Sequence, residues 1–208
     1  MAEAEMALQY GADALGLVGP MPSGPGILPL DLIGEISKAL PPTLPSFYLT
    51  SKVIAEDIRE EYEIAQTTTI QMVDKVPVAE LLKLRKLLPP STQLVQVLHV
   101  RNDEVIQEAL RVQPHVDALL LDSGDPDATI KTLGGTGRTH NWSISRRLVE
   151  TVPKPVFLAG GLRSENVQKA YAVVRPHGLD LCSGVRSDGK LDEMKLKAFF
   201  CQVGGLTR

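Results

Sequence analysis

Asp122 closes the apolar run of Leu119, Leu120 and Leu121, so its carboxyl group arrives at the end of what reads as a buried strand. At the C-terminal end of a barrel strand such a group projects into the barrel mouth, where partial burial raises its pKa toward the range useful for donating a proton. The pattern makes Asp122 a catalytic general acid. A helix cap or loop aspartate is the competing reading. Downstream, three glycine turns follow apolar runs. Gly134, Gly135, Thr136 and Gly137 form the first, Gly160 and Gly161 follow Phe157, Leu158 and Ala159, and Ser183 and Gly184 follow Asp180, Leu181 and Cys182. Backbone N–H groups left free at a glycine turn entering a helix face an anion well, and barrels often hold a phosphate on the loops after their last two strands. Gly135, Gly137, Gly160, Gly161, Ser183 and Gly184 are therefore the expected phosphate-binding residues, with simple tight turns needing positive φ as the alternative.

His99 follows Leu94 to Leu98, and Asp74 follows Ile70 to Val73, so both fall at strand ends and could serve as acid or base. A place in a surface loop is the commoner fate of such residues. Trp142, just after the first glycine turn, reads as a seal between that loop and the next helix. Cys182 and Cys201 are too few and too isolated for a disulfide framework or a zinc site. No metal and no cofactor is expected.

These residues are carried by short apolar runs alternating with segments of helical periodicity, the sequence sign of repeated βα units around a parallel sheet. The runs predict seven strands, at 12–18, 46–49, 69–72, 94–98, 118–122, 155–159 and 178–182. Helices are predicted at 30–39, 55–65, 78–87, 103–112, 143–150, 165–174 and 193–201. Asp31, Ser143 and the stretch 164–166 read as openers or caps of three of them. Proline-rich breaks at 20–29, 41–45 and 89–90 read as turns rather than as a linker, so the 208 residues form one domain. The fold class is α/β, a (β/α)8 barrel of the TIM type. An amphipathic helix over 2–10 precedes the first predicted strand, which implies a barrel whose first strand is missing from the chain. Two unpaired strand edges would then favour association between copies.

A hydrophobic content of 43% with a net charge of −3 is ordinary globular composition and argues against disorder and against an electrostatic nucleic-acid binder. No apolar run approaches a membrane span, and the acidic N-terminus is unlike a signal peptide. A small phosphorylated partner and a cytoplasmic location are expected.

With these residues assembled, the chain resembles the phosphoribosylanthranilate isomerase family, tryptophan-pathway barrels that perform an Amadori rearrangement. The resemblance rests on LLLDS at 119–123, GGTGRTHNW at 134–142, LAGGLRSENV at 158–167, VRPHGLDLCSGV at 174–185 and DGKLDEMKLKAFF at 188–200, with GADALGLV at 11–18 matching the family's second strand. It implies that Asp122 is the general acid and that Gly160, Gly161 and Gly184 help hold the substrate phosphate. The chain also departs from the family. The family's first strand, reading KICG, carries its general base as a cysteine, and nothing here precedes Met1. Aligning the family's SKRYIS with 23–28 puts Pro25 where the carboxylate-binding arginine stands, and its QLHG becomes Gln71, Met72, Val73 and Asp74. Either a first strand carrying the base has been lost from the sequence, or Asp74 or His99 substitutes for it. The alternatives are a catalytically impaired phosphosugar-binding relative and an isomerase acting on another phosphorylated substrate.

Overall fold

The computed structural model describes residues 1–22, 24–124 and 139–205. The apolar runs form seven strands: β1 (Leu15–Val18), β2 (Ser46–Thr50), β3 (Thr69–Met72), β4 (Gln93–His99), β5 (Ala118–Asp122), β6 (Val156–Leu158) and β7 (Gly178–Leu179). Their order in the sheet is their order in the chain, and every neighbouring pair is parallel. Parallel neighbours need crossovers, which the helices supply. They are α1 (Ala2–Gln9), α2 (Leu30–Ala39), α3 (Ala55–Ala65), α4 (Val78–Leu87), α5 (Glu104–Val112), α6 (Trp142–Thr151), α7 (Val167–Val174) and α8 (Glu193–Val203).

Side chains alternate along each strand, so the curled sheet feeds two cores. Its outer face packs on the helices through Tyr48, Ile70, Met72, Leu94, Leu119, Leu121 and Leu158. Its inner face forms a smaller cluster of Val73, Val95, Val97, Ala118, Leu120 and Ala159, joined by Phe47, Leu49 and Phe157. A filled interior beneath an open mouth is the barrel arrangement of the TIM type, as the alternation predicts.

The three residues or stretches read as helix openers take other places. Pro29 rather than Asp31 is the N-cap of α2, and Asp31 sits in the first turn. Asn141 caps α6 by accepting the Ser143 N–H, so Ser143 is the capped residue. α7 begins at Val167 after an Asn166 cap, which leaves Ser164 and Glu165 in the preceding turn. The sequence reading also missed a hairpin, β8 (Arg186–Ser187) with β9 (Lys190–Leu191). Its turn uses Asp188 at φ 51° and Gly189 at φ 78°, the left-handed pair that an Asp-Gly step accommodates.

Among the described residues β1 and β7 each have one strand neighbour in the sheet. α1 and α8 wall the seam between them. Ala4 and Ala7 of α1, and Leu196 and Phe200 of α8, line the same cavity as Leu15 and Leu179. Glu3 fastens α1 by accepting from Arg186 Nη2 at 2.9 Å and from the Leu191 N–H at 2.9 Å, and the Tyr10 hydroxyl donates to Glu193 Oε1 at 2.8 Å. The free edge of β1 is blunted near its end, where the Leu28 N–H donates to the Val18 carbonyl at 2.8 Å.

Candidate active site

A cavity of about 670 Å³ opens at the C-terminal strand ends and runs down the seam. Its wall includes Asp122, Gly160, Gly161, Ser183 and Gly184, so the turns and the carboxylate that the sequence singles out share one space. Gly135 and Gly137 lie outside the described residues.

Asp122 is the last residue of β5 and is 8% exposed. Its Oδ1 accepts the Ser123 N–H at 2.7 Å and the Ser123 hydroxyl at 3.4 Å. Burial pushes its pKa above the usual carboxylate value, against the pull of the Ser123 N–H and of neighbouring His99. A carboxyl group whose pKa is raised at the mouth is better suited to proton donation than an ordinary carboxylate.

The glycine turns are required by geometry. Gly160 and Gly161 take φ values of 82° and 62°, and a Cβ on Gly160 would stand 3.1 Å from Asp122 Oδ1. After β7 the chain turns through a 3-10 segment, Ser183–Val185, where a Cβ on Gly184 would meet the Leu162 carbonyl at 1.9 Å. The turn after β7 thus packs directly on the turn after β6. Asn166 locks the latter, donating to the Gly161 carbonyl at 2.9 Å and accepting the Arg163 N–H at 2.8 Å.

The two residues read as substitute bases do not line this cavity. His99 pairs with Asp122 in the β4–β5 register, and its Nε2 donates to the Val73 carbonyl at 3.0 Å. Asp74 is buried, with its Oδ1 accepting the adjacent Lys75 N–H at 2.8 Å and its carbonyl receiving the Gln96 amide at 2.8 Å. His140 donates to or accepts from the Ser145 hydroxyl at 2.7 Å, and burial pushes its pKa down to about 4, which keeps it neutral near pH 7. Trp142 opens α6 and packs partly buried on the outer core. Cys182 and Cys201 are unbridged.

Two cavity residues escaped the sequence reading. Asp180, just beyond β7, accepts from the Gln71 side chain and the Leu181 N–H. Burial first, and the Asp122 charge second, push it up to about 6. It retains some accessible surface because it faces the cavity while protein surrounds its other sides. Arg186 is the cationic side chain of the cavity wall among the described residues, donating to Glu3 and to the Gly189 carbonyl. Its guanidinium would lie 3.4 Å from a Cβ on Gly26, in the stretch after β1. The signal for Asp180 was its place in DLCSGV, inside the predicted strand 178–182 and shortly before a glycine turn.

The fold and this mouth define an α/β protein of the TIM-barrel type with a buried carboxyl group beside two glycine turns. The family model described as PRAI, N-(5'phosphoribosyl)anthranilate (PRA) isomerase, matches residues 54–202. The chain belongs to the N-(5'-phosphoribosyl)anthranilate isomerase family. N-(5'-phosphoribosyl)anthranilate isomerase 2 of Methanosarcina mazei is 36% identical over 199 residues, covering 95% of this chain and 87% of the relative. Phosphoribosyl anthranilate isomerase from Thermotoga maritima superposes with a TM-score of 0.83 at 27% identity, over 99% of this chain and 94% of that one. A phosphoribosyl anthranilate isomerase in complex with reduced 1-(o-carboxyphenylamino)-1-deoxyribulose 5-phosphate is 25% identical with a TM-score of 0.79 and the same coverage. No helix of the described residues is long and apolar enough to cross a membrane.

Proposed function

We propose that the protein is a phosphoribosylanthranilate isomerase of tryptophan biosynthesis, converting N-(5'-phosphoribosyl)anthranilate to 1-(o-carboxyphenylamino)-1-deoxyribulose 5-phosphate. The observation that carries the reading is the buried carboxyl group of Asp122, its pKa raised by burial, facing the same cavity as Gly160, Gly161, Ser183 and Gly184 in a chain of this family. Asp122 protonates the ring oxygen, the C1–O bond opens, and an iminium forms. Loss of the C2 proton then gives the enolamine, which ketonises. The substrate phosphate sits on the turns after β6 and β7, whose glycines leave room for backbone N–H groups to approach it. Gly135 and Gly137 are proposed to contribute from the segment after β5. The substrate carboxylate is assigned to Arg186, on the support of its charge and its position beside Gly26, next to the aligned Pro25. Turnover of phosphoribosylanthranilate, followed by loss of its fluorescence, tests the reading. Phosphate-ligand binding without turnover would instead favour an impaired phosphosugar-binding relative.

The single-neighbour edges of β1 and β7 support association between copies as a further part of this reading. Light scattering across a concentration series should then show a rising mass. A constant monomer mass would remove that part and leave the catalytic reading intact.

A further inference from the structure

His99 and Asp122 stand side by side. They are registered partners on the parallel strands β4 and β5, and the pair Val97 and Leu120, two residues earlier, belongs to the inner core. Partners in a parallel row point to one side and sit on strands about 4.8 Å apart, so the imidazole and the carboxyl group share one layer at the top of the interior. The ladder continues past them, with the Val100 N–H donating to the Asp122 carbonyl at 2.9 Å, and this holds the two residues in register. The His99 ring is tied on its other side, where Nε2 donates to the Val73 carbonyl at 3.0 Å just beyond β3. A carbonyl only accepts, so Nε2 carries a hydrogen whatever the charge of the ring. Nδ1 is buried with no hydrogen-bond partner among the described residues, a state that buried polar atoms rarely keep without a use. The ring can therefore gain or lose a proton at Nδ1 without giving up its bond to Val73.

We propose that His99 is a positioning residue for the general acid, an imidazole tethered to Val73 that lays positive charge beside Asp122 and steadies the carboxylate left when Asp122 gives its proton to the ring oxygen of the substrate. The assignment rests on the isomerase reading above. In that step the Asp122 O–H bond breaks and the proton bonds to the ring oxygen. The electron pair of the C1–O bond goes to that oxygen, the nitrogen lone pair forms the C1–N double bond, and the negative charge stays on Asp122. A preset charge of opposite sign lowers the barrier where charge develops in the transition state. His99 does not line the cavity, so it acts on Asp122 and not on the substrate.

Burial alone would leave Asp122 a weak acid that holds its proton tightly. Burial does push its pKa up, while the Ser123 N–H and then the His99 charge pull it back. A general acid works best with its pKa near the working pH, so a neighbour that offsets part of the burial suits the role. The other charged groups around the pair lie to either side. Beyond β7, Asp180 and Cys182 both feel the Asp122 charge. Beyond β3, Asp74 accepts the Lys75 N–H, and Lys75 pairs with Glu108 of α5 at 2.8 Å. Arg101 follows His99 by two residues and is exposed. Among the described residues His99 is the cation that acts on Asp122.

The experiment compares wild type, His99→Gln and Asp122→Asn as full chains. Glutamine can still donate an amide N–H to the Val73 carbonyl but carries no charge at any pH. With the aspartate carboxyl carbons isotope-labelled for NMR, the Asp122 signal is the one that Asp122→Asn removes. Its titration midpoint should rise in His99→Gln by about one pH unit, the low end of the range for an opposite charge at close range. In turnover of phosphoribosylanthranilate the alkaline limb of kcat should move up with that midpoint, the plateau on its acid side should fall about three- to tenfold, and KM should stay within about twofold. A merely structural role would lower the melting temperature and leave the Asp122 midpoint in place. A midpoint that stays or falls, or an alkaline limb that does not follow it, would overturn the assignment. If His99→Gln does not fold, wild type decides, because coupled groups titrate together. The Asp122 carboxyl signal and the His99 ring signal should then each move at both midpoints, and two independent single steps would overturn the pairing. A shifted midpoint in a chain that turns nothing over overturns the isomerase reading and the catalytic part of this assignment together, whereas turnover with an unshifted midpoint overturns the assignment alone.

Discussion

β3, β4 and β5 carry four, seven and five residues, and nearly every one is buried, because one face meets the helices and the other fills the interior. β6 and β7 carry three and two, and each runs within a few residues into a turn built on small side chains. The middle of the sheet spends its residues on apolar burial at roughly 1.5–3 kcal/mol for each large side chain. The last strands offer little burial and much open backbone beside the cavity. Stability and chemistry therefore draw on different strands, and they meet at Asp122, the end of the last long strand.

The largest expected effect breaks chemistry without breaking the sheet. Asp122→Asn should lose about 10²–10⁴-fold in kcat, because the amide keeps the shape and has no proton to transfer. Its melting temperature should stay near wild type, and steady-state kinetics with calorimetry check both. A variant that melts early would place Asp122 among the stabilising residues.

The converse belongs to the middle strands. Leu119→Ala removes a side chain with no exposed surface and should cost about 2–5 kcal/mol by denaturant titration, with kcat per folded molecule unchanged. Falling kcat in the folded fraction would mean that the outer core also tunes the mouth.

Gly161→Asp sharpens the comparison at the far end by setting a carboxylate in the proposed anion seat. Phosphate at about a hundred times its Kd should stabilise wild type by about 2.7 kcal/mol, and this protection should vanish in the variant. Protection that persists would put the phosphate elsewhere. Arg186→Met should raise KM for phosphoribosylanthranilate more than it lowers kcat, and an unchanged KM would free Arg186 from the carboxylate.

The smallest effect concerns the segment joining the two regions. His140 is held neutral at about 4, while in the unfolded chain it takes up a proton below about 6.5. Its folded pKa is depressed, so its contribution is whole above pH 6.5 and drains away as pH falls toward 4. Urea titrations at pH 7 and pH 5 should show a stability loss that His140→Gln reduces, and equal losses in both proteins would exclude this residue as the cause.

Local pattern was enough for much of the chain. Apolar runs and helical periodicity located α2, α3 and α4 to the residue, and β3 and β5 as well. Burial periodicity and flanking prolines are local properties, so they survive without knowledge of the fold. Asp122 was legible because three leucines precede it, and the turns at Gly160 and Gly184 because glycine follows an apolar run at each, Gly160 for its positive φ and Gly184 for the close approach of the Leu162 carbonyl. The β8–β9 hairpin was legible in principle, through Asp188 and Gly189, but two strands of two residues leave no periodicity to read.

The sequence by itself determined the order of βα units, the family and the residues whose backbone or burial is locally constrained. Tertiary structure alone decided which carboxylates face one another. Asp74 and His99 read as strand-end groups and Asp180 lay unremarked inside the predicted strand 178–182, and whether such a group lines a cavity depends on strand alternation, register and curl summed around the barrel. Those sums left Asp74 and His99 out of the cavity wall, His99 beside Asp122 with its Nε2 on the Val73 carbonyl, and brought Asp180 to the same cavity as Asp122. A carboxylate's acidity follows from its neighbours across the interior, and those neighbours are separated by many residues along the chain.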